Sequence, residues 1–91
     1  MVEIKSIMEV MPNATFVDTV FTYEVPNLTK IRAVIKVDRR KSIVYTDVMA
    51  SCVETGNPFF HKRVEHPFNT DEEFKRIVRN NISICKTIEN S

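Results

Sequence analysis

Cys52, Cys85, His61 and His66 are the side chains with the widest chemical repertoire in this chain. Together they could ligate zinc, but the spacing C-x8-H-x4-H-x18-C matches no usual closed four-ligand site. Cys85 also falls on an apolar helical stripe, and His61 and His66 point to opposite faces if their segment is a strand. No metal and no cofactor is expected. As a nucleophile, Cys52 would need His61 or His66 as its base across a turn, and no neighbour visibly lowers its thiol pKa. Glu72 and Glu73 make a carboxylate pair that helix capping explains better than acid–base catalysis. Both cysteines read as small core residues in a reducing compartment. The expectation is a protein that is not an enzyme.

A second chemistry is suggested by cations. Lys36, Arg39, Arg40 and Lys41, with Lys62 and Arg63 further along, could gather on one rim of a sheet. Tyr45, Phe16 and Phe60 would then offer stacking surfaces, as in sheets that bind RNA or single-stranded DNA. Against this, 13 basic and 12 acidic side chains leave a net charge of +1, so no global field favours nucleic acid. The single glycine, Gly56, excludes a glycine-rich phosphate loop.

The elements that must position these groups fit one domain spanning residues 1–91. A chain of 91 residues has room for a single compact core. Its 43% hydrophobic and 27% charged content is ordinary for a globular protein. No apolar run reaches membrane-spanning length, and Met1-Val2-Glu3-Ile4-Lys5 lacks a secretory core, so a cytoplasmic protein without membrane contact is expected.

Lys30 to Asp38 is the clearest strand: Ile31, Ala33, Ile35 and Val37 alternate with Arg32, Val34 and Lys36. Thr15 to Val25 alternates in the same way and reads as one strand closing onto it through residues 26–28. That closure sets Tyr23 opposite Ile31, Phe21 opposite Ala33 and Val17 opposite Val37. Glu24 then faces Lys30, Asp18 faces Lys36 and Val20 faces Val34. Ser42 to about Val53 continues the sheet beyond a loop at 38–41, with Ile35 opposite Val44, Arg32 opposite Asp47 and Val34 opposite Tyr45. After a turn at 54–58, Phe59 to Phe68 reads as an edge strand, given its mixed content and Pro67. Val2 to Val10 fits a strand through its β-branched residues, with an N-terminal helix as the alternative.

Thr70-Asp71-Glu72-Glu73 is a capping box that opens a helix of about 19 residues. Phe74, Ile77, Val78, Asn81, Ile82, Cys85 and Ile88 line its buried stripe, and Asp71–Lys75 and Glu72–Arg76 are its i,i+4 pairs. The fold expected is α+β: an antiparallel meander of four to five strands with one C-terminal helix across the Phe21–Ile35–Val44 face.

The other face then carries Phe16, Val20, Val34, Tyr45 and Met49 with Arg32 and Lys36 beside them. Aromatic and methionine side chains within a charged rim suit a protein partner. The leading expectation is a small non-enzymatic binding module, an inhibitor or adaptor, acting through Val20, Arg32, Val34, Lys36, Tyr45 and Met49. The alternative is nucleic-acid binding by Lys36, Arg39, Arg40, Lys41, Lys62 and Arg63. A homodimer burying the same face is the third arrangement.

Overall fold

Five antiparallel strands run in simple sequence order across one sheet, with two helices packed on a single side of it. The computed structural model describes residues 2–51 and 55–91. The elements are α1 (Ile4–Val10), β1 (Thr15–Val17), β2 (Val20–Glu24), β3 (Ile31–Asp38), β4 (Ile43–Ser51), β5 (Pro58–Pro67) and α2 (Asp71–Glu89). The α+β class, the meander and the C-terminal helix are as the hydrophobic periodicity implies, and β5 lies at an edge. No helix among the described residues is long and apolar enough to cross a membrane.

The inner face holds the core. Phe21 and Tyr23 of β2, Ala33, Ile35 and Val37 of β3, and Val44 and Val48 of β4 are all buried. Phe74, Val78 and Cys85 of α2 close over them, and the Phe74 ring lies 5.2 Å from that of Phe68. The cap on α2 is half of the expected box: the Glu73 N–H donates to Thr70 Oγ1 at 3.1 Å. Ile88, placed at the end of the buried stripe by its spacing, is instead 40% exposed.

The N-terminal segment forms a helix, not the strand favoured by its β-branched residues. Ile7, Val10 and Met11 fall on one helical stripe and are buried in the same core cluster as Phe74. Polar contacts reinforce this packing. Ser6 Oγ donates to Asp71 Oδ2 at 2.9 Å, and Glu9 pairs with Lys75 at 3.0 Å and Arg79 at 3.2 Å. Tertiary contact outweighs the modest strand propensity of these residues. It also corrects the charge pairs inside α2: Lys75 reaches Glu9 and, at i,i+3, Glu72 at 4.0 Å, so the Asp71–Lys75 and Glu72–Arg76 pairs are not formed.

Thr15 to Val25 is a hairpin and not one strand. Val17 faces Val20 across Asp18 and Thr19, and Asp18 takes a left-handed φ of 59° that aspartate tolerates. The fold moves Phe16 accordingly. It pairs with Phe21 on the helix side, the rings 4.6 Å apart, and leaves the outer face where alternation had put it.

Both strand registers differ from the expected ones by an even number of residues. Tyr23 faces Ile35 instead of Ile31, and Ile35 faces Thr46 instead of Val44. Phe21 faces Val37, Val20 faces Asp38, Thr22 faces Lys36 and Glu24 faces Val34. Arg32 faces Met49, and Val34 faces Asp47. Even shifts keep the side chains of β2, β3 and β4 on their assigned faces, so the division into two faces survives the change in partners there. The cause lies in the connections. Chain 25–30 does not close tightly; the Glu89 carboxylate, at the far end of α2, accepts from the N–H groups of Thr29 (2.6 Å), Lys30 (3.0 Å) and Ile31 (3.3 Å). The 39–42 loop is set by Asp38 Oδ1, which accepts from the N–H groups of Arg40 (3.0 Å) and Lys41 (3.2 Å).

Neighbouring residues of β3 should therefore respond very differently to truncation. Ile35→Ala, in the closed core, is expected to cost about 2–5 kcal/mol, and Val34→Ala, on the uncovered side, under about 1 kcal/mol; urea unfolding compares them. The Thr29 and loop hydrogen bonds hold the Glu89 carboxyl down at about 2, below its ordinary 4.5. Its folded pKa is the lower one, so its contribution is present above about pH 4.5 and is lost as pH falls toward 2. Glu89→Gln should lower the urea midpoint at neutral pH, and the gap from the unsubstituted protein should narrow steadily between pH 5 and 2.

Candidate functional site: the uncovered sheet face

Because α1 and α2 share one side, neither covers the opposite face of the sheet. The cross-strand register orders that face into rows. Thr22, Lys36, Tyr45 and Glu65 form one row, Glu24, Val34, Asp47 and Arg63 the next, and Arg32, Met49 and His61 the third. Val20 stands one row further, beside Asp38 and Ile43. The alternation that builds β3 and β4 thus brings together the expected partner residues Val20, Arg32, Val34, Lys36, Tyr45 and Met49. Val20, Val34, Tyr45 and Met49 are half-buried by their neighbours and not by a second layer.

A depression of about 300 Å³ occupies the middle of the face, lined by Thr22, Glu24, Arg32, Val34, Lys36, Asp47, Met49 and His61. Its charges are ordered. Arg63 donates to Asp47 through Nε at 2.7 Å and Nη2 at 3.1 Å, a two-point contact between planar groups. That contact, before all else, holds the Asp47 carboxyl below its usual range and raises Arg63. His61 Nε2 lies 3.9 Å from the same carboxylate. Arg32 Nε sits 3.3 Å from Glu24 Oε1, a diagonal exposed pair of little energetic weight. Glu24, Asp47 and Glu65 thus balance Arg32, Lys36 and Arg63, and the face carries no strong field of either sign. Sequence reasoning overlooked the Asp47–Arg63–His61 group, because it depends on how β4 pairs with β5; the signal was the alternation of His61 and Arg63 within an edge strand.

The six cations of the nucleic-acid alternative are divided by the fold. Lys36 and Arg63 lie on the uncovered face, whereas Lys62, opposite Val48, turns to the helix side. Asp47 and Ile43 are four residues apart on β4, which sets Arg63 about 13 Å from the 39–42 loop. Arg39 and Arg40 instead border a hollow of about 230 Å³ with Phe16, Asp18 and Thr19. Phe16 is 55% exposed there.

The histidines separate as their spacing implies, His61 to the uncovered face and His66 to the helix side. Cys85 is buried and its thiol is pushed up by desolvation, so it stays protonated at neutral pH. Cys52, with which either histidine was to be paired, lies outside the described residues. No protein-family model, curated protein or solved structure matches this chain.

Proposed function

We propose that this chain is a small non-enzymatic binding protein, an inhibitor or adaptor, which holds a protein partner on its uncovered sheet face. The observation that carries this reading is the packing of both helices on one side, which leaves Val34, Tyr45 and Met49 open amid balanced charge. Aromatic, methionine and arginine side chains are those enriched where proteins meet, and here they alternate with paired charges across the face. The five strands, from three to ten residues long, present roughly 550 Å² at about 3.3 Å per residue and about 4.8 Å between strands. A standard interface takes about 800 Å² from each partner, so contact through this face alone falls in the transient class.

Nucleic-acid binding is the second reading, supported by Phe16 lying exposed beside Arg39 and Arg40 at one end of the sheet. An aromatic ring next to two guanidinium groups can stack a base and neutralise its phosphate.

Affinity capture from the producing cell, with and without nuclease, separates the two. A chain carrying Val34→Glu and Tyr45→Ala together should retain its fold, with a stability change of about 1 kcal/mol or less per site. It should lose at least about tenfold of a nuclease-resistant protein partner, as expected for hot-spot residues. Partner recovery equal to that of the unsubstituted chain overturns the first reading. The second requires capture that nuclease abolishes, that weakens steeply with salt, and that Arg40→Glu with Lys41→Glu removes.

A further inference from the structure

The helix side of the sheet holds a second feature, independent of the partner face. α2 packs on β3 and β4, and β5 extends past it, leaving a groove between helix and edge strand. We propose that this groove binds a small apolar carboxylate, one anionic head on a single aromatic ring or a chain of about six to eight carbons. The volume, about 190 Å³, is somewhat above the ~150 Å³ of an apolar cavity that takes up benzene.

Apolar side chains supply the walls. Val48 and Val64 form the floor, and Phe60, Ile84 and Ile88, each between 40 and 55% exposed, form the lips. Large hydrophobic residues left open around a hollow lose water when a ligand enters, which is the driving force for the tail.

Polar groups identify the head. Thr46 is only 3% exposed, yet its Oγ1 has no hydrogen-bond partner; neither does the buried Nε2 of His66. Both residues line the groove. Buried polar atoms are nearly always satisfied, so two unsatisfied ones in one hollow mark where a ligand's polar atoms belong. Thr46 stands opposite Val64, and Lys62 and His66 follow on either side of Val64 along the same face of β5. A carboxylate above Val64 would accept from the Thr46 hydroxyl and from His66 Nε2–H once these covered atoms turn toward the groove. Lys62 supplies the charge: among the described residues it is the one lysine, arginine or acid lining the groove, and it enters none of their ion pairs. Asn81 is already committed, its amide donating to the Ile77 carbonyl at 2.8 Å. The protonated Cys85 thiol adds no opposing negative charge.

Titration of the whole chain with benzoate and octanoate, followed by amide chemical shifts, tests this. Benzyl alcohol and 1-octanol serve as uncharged controls. Saturable shifts are expected at Thr46, Val64, His66 and Ile84, with a dissociation constant on the order of 1 mM or tighter. Each acid should bind at least about threefold more tightly than its alcohol, because the Lys62 cation attracts the carboxylate and not the hydroxyl. Lys62→Gln should erase that preference and leave the alcohols unaffected. Thr46→Val should raise the melting temperature of the ligand-free chain, since it removes an unpaired buried hydroxyl, and should shrink the rise produced by octanoate. The proposal is overturned by the absence of saturation up to about 10 mM. Shifts confined to the uncovered face, equal binding of acid and alcohol, or a Thr46→Val chain that melts lower without ligand overturn it as well.

Discussion

The carboxylates at the two ends of α2 fix how the helical layer lies along the apolar side of the sheet. Asp71, in the first turn, takes the Ser6 hydroxyl and so draws α1 alongside. Glu89, in the last, accepts three successive N–H groups from the connection between β2 and β3. Between these anchors Phe74, Val78 and Cys85 press on Ile35, Val37 and Val44, and full burial of each large side chain is worth about 1.5–3 kcal/mol. Apolar burial supplies the energy, and the two anchors supply the alignment. With α1 tied to α2, both helices are committed to one layer, and neither covers the other face.

Two chemically different surfaces follow from that arrangement. The uncovered face pairs its charges internally, Asp47 with Arg63 and Glu24 with Arg32, around Val34, Tyr45 and Met49. It is broad, shallowly hollowed and mixed in polarity, suited to another surface. On the helix side the position of α2 over β3 and β4 leaves a groove beside β5, where Thr46 Oγ1 and His66 Nε2 lie buried without partners. That hollow is narrow and anion-favouring, suited to a small molecule. One helix, by its placement, creates both.

Local patterns made much of this visible in the residues themselves. Alternation from Lys30 to Asp38 and from Ser42 onward marked β3 and β4 and assigned both faces correctly, and Thr70 with its acidic turn marked the start of α2. What escaped depended on contacts distant in sequence. Glu89 acts on a connection some 60 residues earlier, so the wider 25–30 link and the shifted registers had no local signal. The hairpin at Asp18 and Thr19 lacked the usual glycine, and Val17, Thr19 and Phe21 continued the strand alternation straight through it. α1 depends on Asp71 and Lys75, which no reading of Val2 to Val10 alone could supply. For the groove, Lys62 and His66 at inward positions of β5 were the available sign that part of the inner face lacked a cover.

That the bare side of the sheet is the side that meets a partner can be tested by position. A photoreactive benzoylphenylalanine replaces Tyr45, in the middle of the uncovered face, or Arg76, on the exposed side of α2, and each chain is irradiated in the cell that makes it. Discrete protein adducts from position 45, and none from position 76, are expected. Adducts from position 76 with none from position 45 would contradict the assignment of the uncovered face.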